Sequence, residues 1–194
     1  MAITSEQVKE LRDMTGISVM QCKAALEEAG GDKQKALLIL SKKSGTSAEK
    51  KSDRTLGAGT VASYIHANKE IGSMVVLRSE TDFVSKNEEF VTLARELALQ
   101  VAATNPIVVK REDLSAEKLE EIKGIFVKEV EGKPDNLKDQ ILSGKVDAYL
   151  KEMVLLEQAY IKDPDKKIRD LIDAAVQKFG ERVEIERFAR FSTK

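Results

Sequence analysis

Several residue types are scarce in this chain of 194 residues, and each scarcity argues against a class of protein. The single Cys cannot form an intrachain disulfide, and the single His cannot build a histidine-based zinc site. Tryptophan is absent and aromatic residues make up 5% of the chain, which argues against a platform that stacks sugars or bases. We therefore expect no metal centre in this protein.

Long apolar runs and an excess of one charge are also missing. No stretch of about 18 apolar residues is present, and the first residues lack the apolar core of a signal peptide. Lys and Arg number 32 against 33 Asp and Glu, so the net charge is −1, whereas dedicated nucleic-acid binders are normally basic. We expect a protein of the reducing cytoplasm that has no direct nucleic-acid partner and no membrane partner.

Residues 1–43 have the pattern of three short helices. Thr4, Ser18 and Asp32 each precede an apolar-periodic segment and can cap the N-terminus of a helix. Gly16 can end the first helix, because glycine readily adopts the left-handed conformation that closes many helices. We predict a three-helix domain over residues 1–43, and a unit this small has a thin core and usually docks on another surface.

Residues 44–58 lose the apolar periodicity and are rich in Lys, Ser and Gly. This composition predicts a linker, part of which can be helical. Its basic side chains could contact phosphate groups, but Glu49 and Asp53 interrupt the positive charge and favour a solvated tether.

The remaining residues, 59–194, predict an α+β domain in which helices pack on a small antiparallel sheet. Residues 60–66 and 73–79 are rich in β-branched side chains and flank a turn-like segment, which is typical of a hairpin. The alternation at the start of RVEIERFARF, residues 182–191, predicts a further strand.

Between these strands, the spacing of apolar residues predicts several helices. A long helix ends just before Pro106, and another covers residues 115–130. Gly144 is expected to interrupt the next helix. The clearest amphipathic pattern covers residues 165–179 and stops at Gly180.

No catalytic motif is evident in the sequence. The glycines do not form a phosphate-binding loop, and no Gly-x-Ser-x-Gly nucleophile turn is present. His66 has no second His beside it, so an exposed turn residue is favoured over a catalytic one. Cys22 lies on the apolar face of its predicted helix and is interpreted as a small core residue. These observations predict a protein that is not an enzyme.

The segment Thr81-Asp82-Phe83-Val84 joins a predicted strand to a long helix and has two interpretations. In the structural one, Thr81 or Asp82 caps the turn while Phe83 and Val84 enter the core. In the functional one, the turn presents a carboxylate beside a rigid ring that wedges into another protein. The residues alone leave both interpretations open.

Three long segments of the sequence, taken together, resemble the bacterial elongation factor Ts family. They are VKELRDMTGISVMQCKAALEEAGGDKQKAL (8–37), YIHANKEIGSMVVLRSETDFVSKNEEF (64–90) and LLEQAYIKD (155–163), and the RFARF ending is similar as well. The resemblance covers nearly the whole chain in the same order. It implies that the N-terminal three-helix unit is a ubiquitin-associated-like domain.

The resemblance also implies a function, that of a guanine-nucleotide exchange factor in translation elongation. Members of this family bind elongation factor Tu with its GDP, disturb the Mg²⁺ site and promote GDP release so that GTP can bind. They hold no cofactor of their own, since they act on the Mg²⁺ and GDP that their partner carries.

Particular residues acquire roles through the same resemblance. Asp82 and Phe83 match the pair that enters the partner near Mg²⁺, with Thr81 and Val84 shaping the turn. Lys23 and His66 match further partner contacts, although an exposed helix lysine is an equally good interpretation of Lys23. Gln100 stands where the family often has His, and its role is open because an amide cannot become cationic.

Length gives a further expectation about assembly. Longer family members carry two similar core halves, whereas this chain has one hairpin of this kind and resembles short members that are homodimers. We predict a homodimer that binds two elongation factor Tu molecules, with the edge of the small sheet, in RVEIERFARF, as a plausible dimer surface.

Two other classes of function stay open from the sequence. The first is a non-catalytic adaptor whose ubiquitin-associated-like module binds peptides while the core only dimerises. The second is a ribosome- or RNA-associated protein that uses the basic linker, which the net charge of −1 disfavours.

Overall fold

The computed structural model of the protein describes residues 3–130 and 134–194 and has a mixed α+β architecture, as predicted. The helices of the described residues are α1 (Ser5–Thr15), α2 (Val19–Glu28), α3 (Lys33–Glu49), α4 (Asp82–Ser85), α5 (Glu88–Thr104), α6 (Ala116–Val130), α7 (Asp135–Met153) and α8 (Ile168–Phe179). The strands are β1 (Ala58–Ile65), β2 (Ile71–Ser79), β3 (Ala159–Tyr160), β4 (Asp163–Lys167) and β5 (Val183–Ser192). None of the helices in these ranges has the length and apolar character that crossing a membrane requires.

The chain divides into two compact units. The first unit comprises Met1–Ala62, Val76–Ala94 and Arg169–Ile185, and the second comprises Ser63–Val75, Arg95–Ile168 and Glu186–Lys194. The division into a domain at 1–43, a linker at 44–58 and a core at 59–194 stays a prediction. Helix α3 continues into the predicted linker as far as Glu49.

A sheet of three strands in the order β1-β2-β5 forms the β part of the fold. β1 and β2 are the predicted hairpin, closed where the His66 N–H donates to the Ile71 carbonyl at 2.9 Å. β5 runs antiparallel to β2, since Thr193, just after β5, donates to the carbonyl of Glu70, just before β2, at 3.0 Å. β3 and β4 form a separate antiparallel pair.

The three N-terminal helices of the first unit begin after the predicted capping residues Thr4, Ser18 and Asp32. Thr4 and Gln7 form a reciprocal capping box on α1, and Gly16 ends that helix with a φ of 67°. The three helices enclose an apolar cluster that includes Cys22, which is fully buried and is therefore a core residue, as predicted. The other buried members are Val8, Leu11, Ile17, Ala25, Leu26, Ala36 and Leu40.

Helix α8 contacts two other parts of the first unit. The Phe179 ring packs edge-on against Phe90, with ring centroids 5.9 Å apart. The side-chain amide of Gln177 donates to the Gln21 side-chain oxygen at 3.0 Å, which ties α8 to α2. The three-helix unit is thus supported by a helix far away in the sequence.

In the second unit, α6 and α7 pack around Ile122, Val146 and Leu150, and Phe126 meets Tyr149 edge-on at 5.8 Å. Arg111 ties this helix pair to the chain that follows it. Its guanidinium donates to both carboxylate oxygens of Glu157 (2.5 and 2.8 Å) and to Asp147 (2.6 Å). These hydrogen bonds, with Glu157 first, raise the pKa of Arg111 above its usual value.

Gln100 is a fully buried member of the second unit's core. Its amide nitrogen donates to the Gln158 side-chain oxygen (3.1 Å) and to the Ala159 carbonyl (3.0 Å), and its oxygen accepts from the Ile161 N–H (3.0 Å). Thr104 donates to the same Gln158 oxygen at 2.7 Å. The position that the resemblance left open is therefore a structural one, where a neutral amide joins α5 to the segment containing β3.

Two boundary predictions are wrong. Gly144 does not interrupt a helix but lies within α7, where it is exposed and a methyl group in its place would have no neighbour within 4 Å. The helix predicted over 165–179 begins at Ile168, because Asp163–Lys167 pairs with β3 as strand β4. In both places the local helix propensity of the residues is outweighed by contacts of the whole element, which are those of α7 with α6 in one case and of β4 with β3 in the other.

Replacement of the two glycines Gly16 and Gly144 by alanine is expected to have opposite effects on stability. Gly144→Ala should raise the free energy of unfolding by about 0.5–1 kcal/mol, because alanine is the better helix former. Gly16→Ala should lower it by about 1–2 kcal/mol, because a side chain in the left-handed region is strained. Urea unfolding of the two variants beside the parent checks both signs, and equal shifts would contradict this account.

Replacement of the Gln100 amide by an apolar side chain of similar size should lower the free energy of unfolding, because hydrogen bonds are lost. Gln100→Leu removes the side-chain partners of the Ala159 carbonyl and the Ile161 N–H and one of the two donors to the Gln158 oxygen, so we expect a loss of about 1–3 kcal/mol in the free energy of unfolding. Gln140→Leu on the exposed face of α7 is the matched control and should change that energy by less than about 0.5 kcal/mol. Similar values for the two variants in urea unfolding would show that the network contributes little.

Candidate partner-binding site

The chain leaves β2 through a turn that Thr81 caps. The Thr81 hydroxyl accepts from the Val84 N–H at 3.5 Å, and the short helix α4 follows at once. The Thr81 carbonyl accepts from the buried Ser79 hydroxyl at 2.9 Å and from the Ser85 N–H at 3.3 Å. The capping role that the structural interpretation gave to Thr81 is therefore confirmed.

The two apolar residues of α4 have opposite environments. Val84 is buried, with 5% of its surface exposed, whereas Phe83 is 82% exposed. The structural interpretation is thus right for Val84 and wrong for Phe83, because neighbouring positions of a helix point in different directions. The turn displays an aromatic ring that contributes little to the core.

Asp82 lies beside Phe83 and is also exposed. Its carboxylate accepts a hydrogen bond from the Lys86 ammonium, one helical turn later, at 2.7 Å. That hydrogen bond and the positive charge of Lys86 lower the pKa of Asp82 below its usual value, which already lies well under neutral pH, so the carboxylate is anionic. An anionic group and an apolar ring therefore stand side by side on α4.

Residues that follow α8 hold the start of the turn. Glu181 accepts from the Thr81 N–H at 3.0 Å and from the Thr81 hydroxyl at 2.6 Å, across a separation of 100 residues in the sequence. The Arg182 N–H donates to the neighbouring Glu80 carboxylate at 2.5 Å. Sequence reasoning missed both contacts, because no local pattern relates positions so far apart.

Glu80 joins the turn to the residues that precede β1. The Arg54 guanidinium donates to its carboxylate at 3.2 Å and to the Gly180 carbonyl at 3.4 Å. Partial burial raises the pKa of Glu80, but the hydrogen bonds from Arg182 and Arg54 outweigh it, so this pKa lies below the usual value. At the far end of α4, the Ser85 carbonyl accepts from the Thr60 hydroxyl at 2.5 Å.

Lys23 is exposed on α2, where its ammonium lies 3.8 Å from the Glu27 carboxylate. It lines a groove of about 340 Å³ in the first unit together with Lys9, Arg12 and the apolar Ile3, Val8 and Val19. This groove combines an apolar floor with positive charge, but the ion pair with Glu27 is also what an ordinary surface lysine would make.

His66 is exposed just after β1, in the second unit. Its Nδ1 lies 3.1 Å from the Tyr64 hydroxyl, and its backbone closes the hairpin. The structure therefore places His66 at an accessible turn. Thr81 to Val84 and Lys23 belong instead to the first unit.

The chemistry that this site offers is that of binding. Within residues 3–130 and 134–194, no cluster of three or more His, Cys, Asp and Glu side chains is placed to hold a metal ion. What the α4 turn supplies is an exposed ring, a carboxylate that stays charged, and a support that fixes both from several sides. An exposed aromatic ring beside charged groups is typical of a surface that contacts another protein.

Comparisons with known proteins place the chain in a family. The sequence model described as Elongation factor TS matches residues 47–194. The chain is 48% identical over 192 residues to elongation factor Ts of Thermodesulfovibrio yellowstonii, covering 98% of this chain and 96% of that one. It is 44% identical over 191 residues to the Thermotoga maritima protein, with coverages of 98% and 96%, and 45% identical over 194 residues to the Maridesulfovibrio salexigens protein, with coverages of 99% and 94%. The chain belongs to the elongation factor Ts family.

Proposed function

We propose that this protein is a guanine-nucleotide exchange factor of translation elongation. It binds elongation factor Tu in its GDP state, disturbs the Mg²⁺ site and promotes GDP release so that GTP can bind. It makes and breaks no covalent bonds, holds no cofactor of its own, and acts in the cytoplasm on the Mg²⁺ and GDP of its partner. Family membership supports the role in elongation, and the α4 turn supports the mechanism.

The exposure of Phe83 is the observation that carries the proposal. An aromatic ring that stays in water gives up the free energy that burial would provide, about 1.5–3 kcal/mol for a side chain of this size. That free energy is available when the ring inserts into a partner. The buried Val84 and the capping residue Thr81 anchor the same turn. The Phe83 ring can therefore insert while the turn that carries it stays folded.

Insertion near the nucleotide site can release GDP by electrostatic means. A bound Mg²⁺ neutralises phosphate charge, and the phosphates lose that compensation when the ion's ligands shift. Phe83 supplies the wedge that shifts the elements of the partner. Asp82, which is ionised at neutral pH, brings a negative charge toward the ion and the phosphates.

Thermodynamic linkage between GDP binding and exchange-factor binding limits what this mechanism can achieve. If the exchange factor weakens the binding of GDP, then GDP weakens the binding of the exchange factor by the same ratio. Because the exchange factor is released again, it accelerates exchange without changing the final occupancy, which the partner's own affinities and the nucleotide concentrations decide.

Lys23 and His66 serve as additional partner contacts in this proposal. Both are exposed, and Lys23 stands at a groove with further positive charge, which suits an acidic or amphipathic segment of the partner. These contacts contribute affinity, whereas the α4 turn contributes the acceleration.

Replacement of Phe83 tests the mechanism directly. Phe83→Ala should lower the rate of GDP release at saturating exchange factor about tenfold or more, since this corresponds to only about 1.4 kcal/mol of transition-state stabilisation. The fold should persist because the ring is 82% exposed. Stopped-flow release of a fluorescent GDP analogue from elongation factor Tu measures the rate.

Leu38→Ala provides the matched control for that experiment, because Leu38 is also an exposed apolar residue, on α3. It should leave the saturating rate unchanged. An unfolded Phe83→Ala variant would mean that the ring belongs to the core after all. A folded variant with full activity would reject the wedge mechanism and favour the adaptor alternative, in which the N-terminal groove alone binds a partner.

We further infer that the protein is a homodimer that binds two elongation factor Tu molecules. β5 is an edge strand of the three-stranded sheet, and edge strands offer unpaired backbone groups. In the second unit, the exposed side chains of Ile65, Met74 and Phe191 line one groove of about 480 Å³. An apolar surface next to a strand edge suits a symmetric contact between copies.

A negative charge introduced into this groove by substitution should dissociate the dimer. Phe191→Asp and Ile65→Asp are each expected to convert the protein to a folded monomer, because a desolvated carboxylate without a partner is strongly unfavourable in an interface. Ile125→Asp, at an exposed apolar position of α6, should leave the dimer intact. Sedimentation velocity distinguishes the species, and a monomeric parent protein would contradict the dimer itself.

A further inference from the structure

Both carboxylate oxygens of Glu181 accept hydrogen bonds from Thr81, although Thr81 is exposed and Glu181 is only partly buried. One carboxylate oxygen accepts from the Thr81 backbone N–H at 3.0 Å and the other from the Thr81 hydroxyl at 2.6 Å. The carboxylate therefore fixes both the backbone and the side chain of a single residue. Hydrogen bonds to a charged acceptor are stronger than neutral ones.

This contact also determines how Thr81 can cap α4. The hydroxyl has one proton, and the bond to Glu181 uses it, so a lone pair of the same oxygen is turned toward the Val84 N–H. The threonine thus connects Glu181 to the first turn of α4. The helix that displays Phe83 takes its direction from a residue outside it.

The position of Glu181 is itself well fixed. Helix α8 ends at Phe179, the next residue Gly180 turns the chain with a φ of 72°, and Glu181 follows immediately. The next residue, Arg182, donates its N–H to Glu80, beside Thr81. Glu181 and Arg182, which follow α8, therefore form hydrogen bonds with Thr81 and Glu80, which follow β2.

We infer that Glu181 is a positioning residue for nucleotide exchange: it holds Thr81 so that α4 presents Phe83 in one direction. This inference rests on the proposed exchange function. Four residues are too few to form a stable helix alone, so the direction of the ring depends on contacts from outside the helix. A wedge that is already oriented loses less conformational entropy when it inserts.

A purely structural role for Glu181 makes different predictions. If Glu181 only stabilised the fold, its loss would lower the active fraction and reduce exchange equally with or without Phe83. If it orients Phe83, its effect requires the ring. A double-mutant cycle between the two residues separates these cases.

The experiment uses the full chain with Glu181→Ala, Phe83→Ala and the double variant, at a temperature where circular dichroism shows all of them folded. We expect Glu181→Ala to lower the saturating rate of GDP release about tenfold, with a change of less than about threefold in the half-saturating concentration. In the Phe83→Ala background the same substitution should change the saturating rate by less than about twofold. Equal reductions in both backgrounds would overturn the inference.

Two further variants sharpen the comparison. Glu181→Gln keeps one acceptor for Thr81 and should retain an intermediate rate. Glu89→Ala removes a carboxylate that pairs with Lys178 of α8 rather than with the Thr81 turn, and it should leave the saturating rate unchanged. A rate for Glu89→Ala as low as that of Glu181→Ala would point to α8 in general and overturn the specific role.

Amide hydrogen exchange of the free protein tests the positioning without any nucleotide. In Glu181→Ala the amides of Thr81 and Val84 should exchange at least about tenfold faster, while those of α6 and α7 keep their rates. Unchanged protection at Thr81 and Val84 would overturn the inference even if the variant's rate of GDP release had fallen. Loss of protection at these amides, together with no acceleration of GDP release by the parent protein, would instead refute the exchange function and with it the role of Glu181 in presenting Phe83.

Discussion

The display of an aromatic ring on a helix of four residues is the constraint on which the candidate site depends. A helix this short cannot maintain its own direction in water, because nucleation fixes several residues for the gain of one hydrogen bond. The surrounding chain supplies what the helix lacks. The buried Val84 anchors the helix in the core, Thr81 caps its start, and the Thr60 hydroxyl donates to the Ser85 carbonyl at its end. The polar contacts hold the backbone and leave the ring itself untouched.

The charged residues around this turn have unequal importance. The pair between Asp82 and Lys86 is exposed at both ends and contributes little to folding, since surface ion pairs are screened by water and salt. Glu80 and Glu181 instead accept hydrogen bonds from backbone groups, so their contacts define a geometry. In the proposed mechanism the charge of Asp82 faces the partner, whereas Glu80 and Glu181 hold the backbone of the turn that displays Phe83.

Local features of the fold could be predicted from the sequence, and long-range ones could not. The capping residues Thr4 and Asp32, the glycine ends of helices and the hairpin all follow from side-chain chemistry within a few positions. A helix break was wrongly predicted at Gly144, because the low helix propensity of one glycine is outweighed by the packing of α7 on α6. The start of α8 was misplaced because β4 pairs with β3, a contact that no short window contains. At the site, capping by Thr81 was predictable, but neither the exposure of Phe83 nor the contact with Glu181 could be deduced from the residues alone.

The buried amides of the second unit have a consequence for how the protein responds to acid. Gln100 and Gln158 form a hydrogen-bonded core that carries no ionisable proton, whereas imidazole in such a place would change its charge near neutral pH. Opening this core is therefore not linked to the uptake of a proton by either side chain. The hydrogen bonds that join α5 to the segment containing β3 therefore keep the same protonation state in acid and at neutral pH, whatever the charged groups at the surface do.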